Sequence, residues 1–203
     1  MAERSNSTLD FERVSSICAY LAAVAGLAYS VTFVATTDDD TRFGEGLEGA
    51  LLLAGGVLAV AVFAALHQHT RERDSGYALL GLLLGVGGAF GAAIHGAYQL
   101  AIAVEGGSAL DLPNAVDPRG FLTFGVTGAA VAIFALLLGG RLRRLGLVFA
   151  LLLEILWVGR LVGGSADDVA LLVPAALAGL VANPLWYVLV GRELAAIARA
   201  RAA

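Results

Sequence analysis

Apolar residues gather into six long runs: Val14–Val34, Leu47–Leu66, Tyr77–Val104, Phe121–Gly139, Leu145–Val162 and Val169–Val190. About 20 apolar residues carry a helix across the hydrocarbon core of a bilayer, and every link between the runs is polar or rich in glycine. The pattern predicts an all-α polytopic membrane protein, one domain spanning 1–203, built as a bundle of six transmembrane helices. The third run is longer than a bilayer needs, so that helix is expected to tilt or protrude.

The links alternate in charge. The stretch from Thr36 to Glu48 holds Asp38, Asp39, Asp40, Glu45 and Glu48 against one base, Arg42. The next link holds Arg71 and Arg73; the one after holds Glu105, Asp111 and Asp117 with Arg119. The tight turn near Gly140 carries Arg141, Arg143 and Arg144, the following link Asp167 and Asp168, and the tail Arg192, Arg199 and Arg201. With the N-terminus inside, ten of the thirteen arginines face the cytoplasm and three (Arg42, Arg119, Arg160) face out. The bias of basic residues towards the cytoplasm then predicts a multi-pass protein with both termini cytoplasmic.

Composition agrees. The chain is 59% hydrophobic and 15% charged, whereas soluble domains run at roughly 45–50% and about 25%. The lipid bilayer is the expected partner, and a net charge of −4 gives no reason to expect nucleic acid. All basic residues are arginine, so Schiff-base cofactors and a catalytic lysine are excluded. The single cysteine, Cys18, excludes an intrachain disulfide and a cysteine-cluster metal site. The polar opening Met1–Arg13, followed by a run of spanning length, reads as a first transmembrane helix and not as a cleavable signal.

The third run holds small residues at four-residue spacing: Gly81, Gly85, Ala89 and Ala93 on one row, Gly87 and Gly91 on another. Small residues let membrane helices approach closely, so this helix is expected at the centre of the bundle. The second row continues to His95 and Gln99, with Tyr98 beside them. The fifth run carries Glu154 near mid-membrane, then Trp157 and Arg160. An ionised acid at that depth is costly without a partner, water or a proton, and His95 is the expected partner across helices three and five. On one reading His95, Tyr98, Gln99, Arg119, Glu154, Trp157 and Arg160 line an outward-facing cavity that binds a small polar or anionic ligand or passes protons. On the other they are interhelical glue, with Arg160 snorkelling to the headgroups.

The sixth run contains Pro174 and the pair Asn183–Pro184, which interrupt backbone hydrogen bonding and predict a kink, either static or a hinge. Trp186 and Tyr187 read as an inner aromatic belt. His67 and His69 have no third metal ligand at suitable spacing, and Asp38–Asp40 lack the glycine and terminal glutamate of a calcium loop. Nucleophile elbows, phosphate loops and metalloprotease motifs do not occur. The expected inventory is therefore no catalytic residue, no metal and no cofactor.

Two stretches carry a resemblance: Asp117-Pro118-Arg119-Gly120-Phe121-Leu122-Thr123-Phe124-Gly125, and Asn183-Pro184-Leu185-Trp186-Tyr187 followed by Gly191-Arg192. On these motifs the chain resembles a family of small six-helix prokaryotic integral membrane proteins of unknown function. The resemblance implies six-helix topology and a plasma-membrane location, and assigns no activity and no functional residue. The expectation is a small-molecule binding or transport-related protein with its site among helices three, four and five. The alternatives are an accessory subunit docking as a homo- or hetero-oligomer through Gly-rich helix faces and, least favoured, an intramembrane enzyme.

Overall fold

The computed structural model describes residues 11–36, 42–105, 115–163 and 169–202. Those residues form six long helices. Helix α1 is Phe11–Thr36, α2 is Arg42–Thr70 and α3 is Ser75–Glu105. Helix α4 opens with a 3₁₀ turn at Pro118–Gly120, continues as a π-helix over Phe121–Val126 and becomes α-helical over Thr127–Leu138. Helix α5 is Gly140–Leu161. Helix α6 is α-helical over Val169–Ala176, π-helical over Leu177–Ala182 and α-helical again over Asn183–Ala202. The basic tail therefore extends the last helix, as its sequence predicts.

Five of these helices are long and apolar enough to cross a membrane. The exception is α5, for a chemical reason: Arg141, Arg143 and Arg144 sit in its first turns, Glu154 in its body and Arg160 near its end. Its 22 residues still rise about 33 Å, and it packs between α4 and α6.

Capping explains where the helices begin and turn. Asp74 accepts the Tyr77 N–H at 3.0 Å and starts α3. Arg73 donates to the carbonyls of Leu137 and Leu138, covering the C-terminal end of α4. The α4–α5 turn needs left-handed backbone at two successive residues, and glycine supplies it at Gly139 (φ 82°) and Gly140 (φ 57°).

The helices close into a ring in chain order. α1 packs on α2, α2 on α3, α3 on α4, α4 on α5, α5 on α6, and α6 returns to α1. An ion pair between Glu12 and Arg201 and a hydrogen bond from Ser16 Oγ to the Gly191 carbonyl at 2.8 Å join the start of α1 to the final α-helical segment of α6. Both termini of the bundle thus lie at one end of it, together with the α2–α3 and α4–α5 turns.

Small residues set the α2–α3 and α3–α4 contacts. A methyl placed on Gly49 would lie 2.6 Å from the Leu100 nitrogen and 2.7 Å from the Gly96 carbonyl. One on Gly56 would lie 2.5 Å from the Ala89 carbonyl. One on Gly88 would lie 3.0 Å from the Leu122 carbonyl on α4. The glycine rows of α3 are therefore spent inside the chain: Gly81, Gly85, Gly88, Gly91 and Gly96 are all buried. Backbone-close packing on both flanks of α3 uses these five glycines inside the chain, while Gly87 is half-buried.

The terminal half of the bundle is filled by large side chains. Trp186, Phe63, Phe134, Leu66 and Leu194 are fully buried there, and the rings of Phe63 and Phe134 stack at 6.0 Å. Trp186 lies over Gly146 of α5, where a methyl would come within 2.5 Å of its ring. Trp186 and Tyr187 are 0% and 8% exposed, so they are core residues and not an interfacial belt.

Candidate functional site

A cavity of about 280 Å³ lies inside the ring, and every helix contributes to its wall. At one extreme it reaches Phe63, Phe149 and Tyr187, which form its floor above the packed half of the bundle. At the other it reaches Val34, Arg160 and Leu171, within a few residues of the ends of α1, α5 and the start of α6. Much of the wall is glycine and alanine: Gly26, Gly55, Gly56, Ala59, Gly88, Ala89, Ala92, Ala175, Ala176 and Gly179. Small side chains on the inner face of a closed ring leave the space that larger ones occupy lower down.

Both π-helical segments border this space. Thr123 and Phe124 come from the first, and Ala178, Gly179 and Leu180 from the second. A π-turn widens a helix locally and is frequent at functional sites. In α6 the cause is readable. Pro184 has no N–H to give the Leu180 carbonyl, and the helix widens over the six residues before Asn183. The irregularity predicted from Pro174, Asn183 and Pro184 thus falls at Leu177–Ala182.

In α4 the cause is Asp117. Its side chain is fully buried and accepts the N–H groups of Leu122 at 2.7 Å and Thr123 at 3.0 Å. Those bonds reach five and six residues along, farther than an ordinary α-helical cap. The link into the helix needs left-handed backbone at Arg119 (φ 57°) and Gly120 (φ 71°).

Polar groups in the wall are few: Tyr29, Ser30, Thr123, Thr127, Arg160, Asn183 and Tyr187. Ser30 donates to the Gly26 carbonyl at 2.9 Å and Thr127 to the Leu122 carbonyl at 3.2 Å. Thr123 Oγ1 is buried with no hydrogen-bond partner. Asn183 lies directly over Gly26, where any side chain would displace its amide. Arg160 is the charged residue of the wall among the described residues.

Of the residues expected to form the site, Arg160 lines the cavity; His95, Tyr98, Gln99, Arg119, Glu154 and Trp157 do not. Tyr98 is 45% exposed on the outside of the bundle. Gln99 donates to Glu48 Oε2 of α2 at 3.2 Å. Arg119 is exposed. Trp157 packs on Phe121, ring centroids 5.4 Å apart, and over Gly125.

The expected pairing of His95 with Glu154 does not form. His95 feels the charges of Asp117 and Arg160, and its Nδ1 is buried without a partner. Glu154 lies against Gly128 of α4, where a methyl would come 2.8 Å from its Oε1. Two facts keep them apart. α4 stands between α3 and α5 in the ring. The depth differs too: Gly88 of α3 is level with Thr127 and Gly128 with Glu154, and His95 is seven residues beyond Gly88, about 10 Å of rise.

Sequence reasoning counted Glu48, at the very start of the second run, with the acids of the preceding link and placed Asp117 in a link, yet they are 6% and 0% exposed. Glu48 sits beside Gly49, the residue that brings α2 onto α3, and that adjacency was the available signal. For Asp117 the signal was an acid ahead of Pro-x-Gly and an apolar run, the order of a helix start. Tyr29, Asn183 and Tyr187 also belong to the cavity, and Asn183 and Tyr187 are one helical turn apart.

Compared with known proteins, the chain matches no family model, no curated protein and no solved structure. The two motif-bearing stretches are accounted for by their work in this fold, as the Asp117 cap and the Asn183–Tyr187 wall.

Proposed function

We propose that the protein crosses the plasma membrane with all six helices, termini cytoplasmic, and binds a small molecule in its central cavity as a transport-related, non-enzymatic protein. The observation that carries this reading is the cavity itself: a closed ring of six helices holds an interior space walled by small residues and a few polar groups. At about 280 Å³ it is close to the lower bound of small-molecule sites, roughly 300 Å³. The orientation is supported by the arginines: among the described residues, nine of twelve fall at the end bearing both termini.

The binding reading is tested by filling the cavity. Gly55 lines it, and a methyl there would meet only Ala25 Cβ at 3.8 Å, so Gly55→Phe adds bulk to the cavity wall at a position where the first added carbon meets no backbone. Protein purified in native lipid, denatured and extracted, should release a small molecule by mass spectrometry that the Gly55→Phe variant lacks. Identical extracts from the two would refute the reading. Orientation is tested separately in a Cys18→Ala background. Single cysteines at Asp39 and Ser108 should react with an impermeant reagent from outside, and one at Ser75 should not; reversed reactivity would overturn the topology.

A further inference from the structure

We infer that the ligand of the cavity is an amphipathic monoanion, a carboxylate with an unbranched apolar body of about eight to ten carbons, its acid group held by Arg160. The inference rests on the cavity-binding reading above and deepens it. Arg160 is the charged group of the wall, half-buried near the end of α5, and no salt bridge engages it among the described residues. The acid on its own helix, Glu154, is turned away against Gly128. A guanidinium facing an apolar space is costly unless an anion meets it, and its planar fork matches a carboxylate by two parallel hydrogen bonds.

The groups around Arg160 leave that role to the ligand. Tyr29 of α1 feels the charge of Glu48 first and of Arg160 second, and its hydroxyl can donate to the same anion. His95 and Asp117 lie behind the wall on the α3–α4 side, with Asp117 committed to two backbone N–H groups. Glu48 is held by Gln99 outside the cavity.

Below Arg160 the wall is Leu156, Leu153 and Phe149 on α5. The eleven residue steps from Phe149 to Arg160 rise about 16 Å along the wall. A wall apolar over that length suits one extended alkyl chain. A cavity of about 150 Å³ holds a benzene ring, so this one holds about ten to twelve non-hydrogen atoms. A two-chain phospholipid exceeds it several-fold.

The test uses the full-length protein in nanodiscs and radiolabelled decanoate, with binding read by scintillation proximity. Decanoate should bind the parent and bind Arg160→Gln at least about tenfold more weakly, as expected for loss of a charged hydrogen-bonded pair. Arg160→Lys should restore part of the loss. Decanol should compete at least about tenfold less well than decanoate, and Gly55→Phe should abolish binding of both. Decanoate already dissolved in the nanodisc lipid and decanoate added from water distinguish a bilayer source from an aqueous one, by which of them saturates the site first. Equal binding of decanol and decanoate, unchanged by Arg160→Gln but lost in Gly55→Phe, would overturn the anion and leave the binding reading standing. Decanoate binding that survives Gly55→Phe would overturn both. No binding to the parent would overturn the carboxylate, leaving the extraction experiment to judge the cavity.

Discussion

The contact between α2 and α3 makes a quantitative prediction about Gly96. A methyl there would lie 2.5 Å from the Gly49 carbonyl oxygen and 2.5 Å from the Leu53 nitrogen. Both are backbone atoms and cannot rotate away. Ordinary heavy-atom contacts sit at about 3.5–4.0 Å, so Gly96→Ala forces the helices about 1 Å apart. A gap of that size forfeits a quarter to a half of each dispersion contact across the interface, and overpacking of this kind costs about 1–3 kcal/mol. Alanine is also the better helix former by about 1 kcal/mol, which would mask part of the loss. Gly55→Ala removes that ambiguity, because it gains the same propensity and its methyl meets only Ala25 Cβ at 3.8 Å. The difference between the two variants isolates the packing term, expected near 2–3 kcal/mol. At 2–4 °C per kcal/mol for a chain of this size, Gly96→Ala should melt about 5–10 °C below Gly55→Ala in the same detergent, followed by intrinsic tryptophan fluorescence. Adding Gly49→Ala to Gly96→Ala should cost less than the sum of the two, since helices already separated accommodate the second methyl. If Gly96→Ala melts no lower than Gly55→Ala, the backbone-close crossing is wrong.

Three further outcomes are expected. Gly88→Leu should lower thermal stability more than Gly87→Leu, because a methyl on Gly88 meets the α4 backbone at 3.0 Å while one on Gly87 meets only Val126 at 3.8 Å; equal melting would displace α3 from its place beside α4. Asp117→Ala should cost about 2 kcal/mol through two unmet backbone donors, and Asp117→Asn, which keeps one acceptor oxygen, should recover part of it in the same melting assay. Glu12→Gln should cost under about 1 kcal/mol, because Arg201 is 62% exposed and solvent screens the pair; a larger loss of melting temperature would give the α1–α6 closure more weight than its exposure allows.

The helices and their order were legible because apolar runs of spanning length are a long-range signal that single residues barely disturb. The small-residue rows of α3 were legible for a related reason: four-residue spacing on one helix fixes a face, whatever the partner turns out to be. Which faces meet was not legible. His95 and Glu154 share a plausible depth only if each helix is centred independently in the bilayer. The real offsets are set by crossings such as Gly88 with Thr127 and Gly128 with Glu154, and those exist only between chains of packed side chains. Charge misled in the same way. Glu48 and Asp117 counted with the acids of links, but α2 begins at Arg42 and buries Glu48, while Asp117 folds beneath the turn it caps. Arg160 was singled out because an arginine next to an apolar run is conspicuous anywhere; Asn183 and Tyr187 were singled out for a kink and a belt, since nothing in one sequence tells which side of a helix faces a cavity.

The distribution of side-chain size along the ring bears on how such a protein can work. A closed ring of six helices encloses an axis, and what occupies that axis decides between a pore, a plug and a pocket. Here Phe63, Phe134, Leu66, Trp186, Val190 and Leu194 fill it over the half that carries the termini, whereas glycine and alanine from α1, α2, α3 and α6 leave it hollow over the other half. A space closed by fully buried aromatic rings at one end admits and releases its contents from the other end or between helices. Passage to the far side would require the plug to open, and the natural place is α6, whose π-helical stretch and Pro184 lie directly above Trp186 and Tyr187. Replacing Pro184 with alanine supplies the missing N–H to the Leu180 carbonyl and favours a regular helix. Such a variant should still bind ligand through Arg160 and the α5 wall, with affinity changed as the wall at Ala178–Leu180 shifts, and should lose any ligand flux measured across proteoliposomes. Flux that persists at the parent rate would place the moving element elsewhere in the ring.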